Sequence, residues 1–217
     1  MRRRQFLVAG AAATMIPARA QAGALAFDES WEPLTFSGIP PTRYALRGDS
    51  VQITAEQSSS VIFRPVPDAL RAARQASWWW RVEDSVPPTD LSQRGGEDRN
   101  ISVYFVFLDQ RSAAQLSPDT SLSRLLRNRS ARTLLFVWGG QRPRGTLVPS
   151  PYMRGRGTSI ILRPAEPGAY DEDVDLDAYH RRAFDGPAGV LVGVAISSDS
   201  DDTGVTVRAA LGDLQLR

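Results

Sequence analysis

The chain has 217 residues, 42% of them apolar, with 17 Gly, 15 Pro and a formal charge of +2. That length gives room for one domain with a proper core or two small ones, and the Gly and Pro content suits many short strands joined by tight turns. There is no cysteine, which excludes disulfides, thiolate catalysis and thiolate metal sites, and all 26 basic residues are Arg.

Residues 1–22 read as an address rather than as part of a fold. Arg2-Arg3-Arg4 is a basic start, Arg3-Arg4-Gln5-Phe6-Leu7 has the twin-arginine form, and Val8 to Ile16 is a short Ala- and Gly-rich apolar run. Such a run is too short to span a bilayer. Ala18-Arg19-Ala20 and Ala20-Gln21-Ala22 both fit a small-x-small cleavage site. The expectation is a twin-arginine signal, read by the twin-arginine export machinery and a signal peptidase and cut near Ala20 or Ala22. Residues 23–217 then form a single periplasmic or secreted domain without a transmembrane anchor. Without the four Arg of the signal, 22 Arg face 24 carboxylates, a net charge near −2. A basic patch for nucleic acid is not supported.

Residues 31–36, 42–46 and 51–55 are short alternating segments separated by Gly38-Ile39-Pro40-Pro41 and Arg47-Gly48-Asp49-Ser50. The Arg-Gly-Asp triplet is read as a hairpin turn between strands. Val61-Ile62-Phe63 is a strand ended by Pro65 and Pro67, and Asp68 to Gln75 fits one or two helical turns with Asp68 as N-cap. In the strand Trp78-Trp79-Trp80-Arg81-Val82, period 2 puts Trp78, Trp80 and Val82 on one face and Trp79 and Arg81 on the other. The first face is expected in the core; Trp79 beside an Arg is either half-covered or part of a binding surface.

The long loop Glu83 to Arg99 carries Pro87-Pro88 and Gly95-Gly96 and delivers Glu97-Asp98-Arg99 to the strand Ile101–Leu108. Loops of this length are often functional. Ser121 to Asn128 reads as a short helix, residues 134–138 and 158–162 as strands, and Asp175 to Phe184 as a helix with Leu176, Tyr179 and Phe184 on one side. The end of the chain holds two alternating runs, Val190 to Ser197 and Val205 to Leu211. They are joined by Ser198-Asp199-Ser200-Asp201-Asp202-Thr203-Gly204 and are expected to form a β-hairpin. Many short strands, two or three short helices and no βαβ alternation predict an all-β antiparallel sandwich.

The densest group of hard oxygen ligands is that acidic turn. Asp199, Asp201 and Asp202 could contribute to a Ca²⁺ site, which takes six to eight oxygens, although the spacing is not that of an EF-hand. A solvated turn is the plainer reading. Glu97 and Asp98 could complete such a site or neutralise Arg99. No other cofactor is indicated. His180, the single histidine, sits in the helix beside Arg181-Arg182 with no G-x-S-x-G before it, so it is expected at the surface and a nucleophilic triad is not. The Arg residues of the loop 139–157 (Arg142, Arg144, Arg154, Arg156), flanked by Tyr152, are read as a solvated surface before an anion site. Trp79, Arg81 and Trp138, with Glu97, Asp98 and Arg99, are the candidates for ligand binding. A carboxylate pair from Glu97, Asp98, Asp199 and Asp201 would serve hydrolysis of a glycoside instead. A purely structural envelope protein is the third reading.

Thr42-Arg43-Tyr44, Trp78-Trp79-Trp80-Arg81-Val82, Glu97-Asp98 before Ile101–Phe107, Val137-Trp138-Gly139 and Asp199–Gly204 leading to Gly212-Asp213-Leu214 resemble, over residues 31 to 217, the bacterial exported proteins of domain-of-unknown-function family 3047. The chain departs from that pattern at Glu97, Asp202, Trp79 and Tyr170. The resemblance implies no activity. Its layout is also similar to galactose-binding-like jelly rolls, many of which bind carbohydrate. That likeness implies a jelly-roll sandwich and a glycan or other envelope component as ligand, by analogy of fold alone.

Overall fold

A computed structural model describes residues 23–117 and 120–217, so the expected signal sequence lies outside the described residues. In chain order the strands are β1 (Glu32–Thr35), β2 (Arg43–Leu46), β3 (Ser50–Glu56), β4 (Ser59–Pro65), β5 (Gln75–Asp84), β6 (Arg99–Leu108), β7 (Arg132–Trp138), β8 (Leu147–Pro149), β9 (Gly157–Arg163), β10 (Gly168–Asp175), β11 (Val190–Asp199) and β12 (Thr206–Leu216). They form a seven-stranded sheet, β1-β4-β11-β6-β7-β9-β8, and a five-stranded sheet, β10-β5-β12-β3-β2. Neighbours are antiparallel except β7 and β9. The chain changes sheet between β1 and β2, β3 and β4, β4 and β5, β5 and β6, and at each step from β9 to β12. This repeated crossing makes the sandwich a jelly roll, the class expected.

The expected terminal hairpin is corrected by the same topology. β11 pairs with β4 and β6, while β12 pairs with β3 and β5, so the two runs lie in opposite sheets. Nearly every residue of β11 is buried, as a central strand covered on both faces requires, and both its edges are already taken. The acidic turn therefore crosses the end of the sandwich. It is pinned by Ser200 N donating to Ser58 O at 3.0 Å and closed by Gly204 N donating to Ser200 O at 3.0 Å. The turn at Gly48, by contrast, is the hairpin expected: β2 and β3 pair across it and Gly48 has φ +82°.

β5 shows the alternation that its sequence dictates. Trp78 (2% exposed) and Trp80 (0%) enter the core, while Trp79 lies on the outer face of the five-stranded sheet, half-buried. Gly212 makes that possible, because a Cβ there would sit 2.4 Å from the Trp79 ring. Between the sheets Trp78, Trp80, Phe105, Phe136 and Trp138 pack as tilted and edge-on pairs 5.4–6.1 Å apart. The strands β6 and β7 are apolar on both faces for a second reason. Tyr104, Val106, Leu135 and Val137 point outward into a smaller core, roofed by α1 (Gln110–Ala113), α2 (Leu122–Arg127) and the loops between strands.

Helix α3 (Leu176–Phe184) starts at Asp175, whose carboxylate accepts from Ala178 N at 2.8 Å, and ends at Asp185 in the left-handed region. His180 is not at the surface as expected; it is 5% exposed and edge-on to Phe107 and Phe184 at 5.4 and 4.9 Å. The reason is spacing: Leu176, His180 and Phe184 recur every four residues and share one helix face. Burial lowers the His180 pKa and holds the ring neutral. Residues Asp68–Leu70 form a 3-10 turn without a side-chain cap, so Asp68 does not serve as the N-cap expected. Among the described residues, no helix is long and apolar enough to cross a membrane.

Candidate functional site

The outer face of the seven-stranded sheet is not fully roofed. A cleft of about 580 Å³ remains, floored by side chains of β4, β6, β7, β9 and β11. Three pieces of chain wall it: the segment after β1 with Phe36 and Ile39, the long loop with Leu91, Glu97 and Asp98, and the β8–β9 turn with Pro151, Tyr152 and Met153. Leu122 and Leu126 of α2 close one side. Strand alternation decides what the floor presents. Ser197 and Asp199 of β11, Tyr104 of β6 and Ser59 of β4 all face outward and meet there.

At the floor lies a buried ion pair. Arg99 Nη2 is 2.5 Å from Asp199 Oδ2, with the two side chains 13% and 8% exposed. The guanidinium also donates to Tyr104 Oη at 2.8 Å, Ser197 Oγ at 3.1 Å and Glu97 O at 2.9 Å, and Ser59 Oγ donates to Asp199 Oδ1 at 2.6 Å. Burial pushes the Asp199 carboxyl up to about 6, against the pull of Arg99. Arg99 remains a cation, its pKa raised by Asp199 against the opposing effect of burial.

Above this pair the acidic turn divides. Asp98, Asp201 and Asp202 bring carboxylate oxygens within 4.8 Å of one another. Asp98 is 1% exposed, and its Oδ2 accepts from Thr203 N and Thr203 Oγ1, both at 2.7 Å. Burial raises the Asp201 and Asp202 pKa values, and the neighbouring carboxylates raise them further. Glu97 accepts from Gly96 N at 3.0 Å and from the Tyr152 hydroxyl. Tyr152 is 51% exposed, with the Arg94 guanidinium 5.1 Å from its ring centre; Arg94 also donates to Pro151 O, which ties the two walls together.

The structure thus unites Glu97, Asp98, Arg99, Asp199, Asp201 and Asp202 in one place, but not as a single ligand set. The trio considered for Ca²⁺, Asp199 with Asp201 and Asp202, is corrected: Asp199 is engaged by Arg99 and Ser59, and Asp98 takes its place in the group. A Ca²⁺ shell of six to eight oxygens would need backbone carbonyls or water beside these three carboxylates. Trp79 and Arg81 are elsewhere, on the outer face of the other sheet. Trp79 Nε1 donates to Asp213 at 3.1 Å and Arg81 pairs with Glu83 at 3.0 Å. Trp138 is not a surface residue at all. It is 0% exposed between the sheets, with Nε1 donating to Glu166 O at 2.9 Å, because the chain turns away only after it, through Gly139 and Gly140 with φ +150° and +83°.

The loop arginines do not gather into an anion site. Arg144 pairs with Glu172 at 3.0 Å, and Arg156 donates to Leu126 O and Asn128 O at the end of α2. The sequence reading gave no role to Phe36, Tyr104, Ser197 or Thr203. The alternation of β6 and β11 could have placed Tyr104 and Ser197 together on one face; nothing local marked Thr203 as the partner of Asp98.

Residues 29–215 match the family model described as Protein of unknown function (DUF3047). No curated protein matches the chain. Solved structures that resemble it include the xyloglucanase domain of NopAA, a type three effector from Sinorhizobium fredii, in complex with cellobiose. That match has 9% identity and a TM-score of 0.44, covering 91% of this chain and 99% of that one. The endo-1,4-beta-glucanase CelB2 matches at 12% identity and a TM-score of 0.42, with coverage of 87% and 97%. Endoglucanase 3 of Trichoderma harzianum, from family GH12, matches at 8% identity and a TM-score of 0.39, with coverage of 88% and 99%. Matched along most of its length by that family model, the chain belongs to the DUF3047 family of proteins of unknown function.

Proposed function

We propose that this is an exported, non-enzymatic glycan-binding protein of the cell envelope, and that the outer-face cleft is its site. One observation carries the reading. Phe36 and Tyr152, 40% and 51% exposed, are the large hydrophobic side chains that stand out to solvent among the described residues, and both line the cleft that holds the carboxylates. An aromatic ring offers its face to the apolar face of a sugar, and carboxylates accept hydrogen bonds from sugar hydroxyls. A cleft of about 580 Å³ lies within the usual range for small-ligand sites. Calorimetric titration of residues 23–217 with a panel of oligosaccharides tests this. Tyr152→Ala is expected to weaken binding about tenfold, the equivalent of about 1.4 kcal/mol, while Trp79→Ala leaves it unchanged. The opposite ranking would move the site to the other sheet.

Hydrolysis is the second reading, because Glu97 and Asp201 face one cleft and the Asp201 pKa is raised, first by burial. Binding is preferred to it since three of the four acids considered for a catalytic pair already hold partners: Asp98 with Thr203, Asp199 with Arg99, and Glu97 with Tyr152. Release of reducing ends during the titration, abolished in Asp201→Asn, would decide for hydrolysis. Adding millimolar Ca²⁺ or chelator to the same samples tests the remaining cofactor proposal, since an ion that binds only the folded state raises Tm.

The address is part of the proposal. Changing Arg3 and Arg4 together to Lys is expected to leave precursor in the cytoplasm, as the twin-arginine form requires the pair. Undiminished periplasmic accumulation of the double variant would remove the twin-arginine route.

A further inference from the structure

We propose that the ligand of this cleft is an amphiphile, a sugar joined to a hydrocarbon chain, with the sugar at the carboxylate end and the chain over the aliphatic end. The inference rests on the reading of the cleft as a glycan site and names what the glycan is attached to. Along the floor the strands change character. Ser59, Asp199 and Arg99 stand at one end, where β4, β11 and β6 pair side by side. Four residues along β11 lies Ala195, in register with Tyr104 of β6 and, beyond it, Leu135 of β7. At about 3.3 Å per residue that is a run of about 13 Å. Past this point α2 covers the sheet: a Cβ on Gly193 would meet Leu125 at 3.5 Å, and Leu122 and Leu126 of the same helix line the cleft. Val61 of β4 and its partner Leu34 of β1 continue the apolar floor. Ser159 of β9 and Arg156, whose guanidinium donates to Leu126 O and Asn128 O, flank it on one side.

That apolar end is lined but not filled. Leu34, Phe36, Ile39, Leu126 and Met153 all line the cleft and all remain exposed in part. Covering them with a hydrocarbon is favourable in proportion to the apolar area removed from water. A bare sugar gains less, since hydroxyls placed over leucines give up water without a partner. At the other end the carboxylates of Glu97, Asp201 and Asp202 accept and do not donate when ionised, which calls for a head that brings hydroxyl donors. The space sets the size. A cleft of about 580 Å³ has room for a small amphiphile. A helix of a protein partner, about 10 Å across over the same run of about 13 Å, would fill about 1,000 Å³.

The test titrates residues 23–217 by calorimetry, below micelle-forming concentrations, with butyl and octyl β-glucosides, a cello-oligosaccharide and 1-octanol. Each methylene buried is worth up to about fourfold in affinity. Octyl glucoside is therefore expected to bind one site per chain at least about tenfold more tightly than butyl glucoside, with a more negative heat-capacity change. Leu126→Gln should narrow that ratio about threefold or more at unchanged Tm. Phe36→Ser, outside any strand or helix, is expected to do the same and replaces it if the helix variant unfolds. Equal binding of the butyl and octyl glucosides overturns this inference and leaves the glycan reading standing. Uptake of octyl glucoside at many sites per chain would mark detergent adsorption and overturn it likewise. Octanol binding as tightly as octyl glucoside removes the sugar from the ligand, and the glycan reading with it. Failure of every sugar probe removes both.

Discussion

Arg99→Met is expected to lower the unfolding free energy by about 3–5 kcal/mol near neutral pH, the usual cost of stranding one partner of a buried ion pair, and by less in acid. Asp199, 8% exposed, would keep Ser59 as a donor but lose the guanidinium at 2.5 Å. Burial already pushes its carboxyl from 3.8 to about 6 in the folded state, with Arg99 opposing that rise. A folded pKa above the unfolded one means that the folded state holds the proton more tightly. The stability it contributes is fully present below 3.8 and is lost as pH rises through about 6. Without Arg99 the carboxyl rises further, above about 6, so the variant takes up its proton at a pH where the parent has not, and recovers part of its loss as pH falls from that higher pKa to about 6. Asp199→Ala should differ. An Arg cannot shed its proton, so the stranded guanidinium is charged at every pH and the loss has no acid rescue of this kind. Urea titrations of the two variants from about pH 4 to about pH 8 separate the cases. Parallel pH profiles for both would show that the pair is not coupled as the geometry requires.

What could be read from the sequence was local and periodic. The faces of β5, the buried runs of β6 and β7, the turn at Gly48 and the helices α2 and α3 follow from alternation, four-residue spacing and turn residues. What escaped was long-range. Arg99 and Asp199 are neighbours only because β6 and β11 pair side by side, with Asp199 opposite Arg99. Nothing in either local sequence selects that partner from among 24 carboxylates. The acidic turn could be recognised as a group, but its division could not. Asp199 is the last residue of β11 and takes the outward direction of the strand, whereas Asp201 and Asp202 lie in the crossing itself and turn toward Asp98. The hairpin expectation failed for a related reason: an Asp- and Gly-rich connection of this length closes a hairpin or crosses a sandwich equally well. Which it does depends on whether the strands' edges are already occupied. Trp138 looked available beside Gly139-Gly140, yet the glycines serve to redirect the backbone after the ring has been buried against Trp80, 5.4 Å away.

Trp80→Ala is expected to be the most damaging single change in the core, at about 3–5 kcal/mol, or roughly 10 °C in Tm for a domain of this size. The ring is 0% exposed and stands edge-on to both Trp78 and Trp138 at 5.4 Å, so truncation opens a cavity that rigid aromatic neighbours cannot readily fill. It also removes a donor from a buried acid. Trp80 Nε1 donates to Glu172 Oε1 at 3.2 Å, alongside Arg163 at 2.6 Å and Arg144 at 3.0 Å. Trp80→Phe keeps most of the volume and loses only that bond, so about 1–2 kcal/mol is expected. Glu172 retains its two arginines in that variant, which is why the cost stays near that of one hydrogen bond. Trp79→Ala provides the comparison on the opposite face of the same strand. Its ring lies half-buried over Gly212 with a single bond to Asp213 at 3.1 Å, and about 1 kcal/mol is expected. Chemical denaturation of the three variants, read as midpoint shifts at constant m, orders them directly. A larger loss for Trp79→Ala than for Trp80→Ala would mean that β5 presents its other face to the core, since a one-residue slip exchanges the two sides of a strand completely.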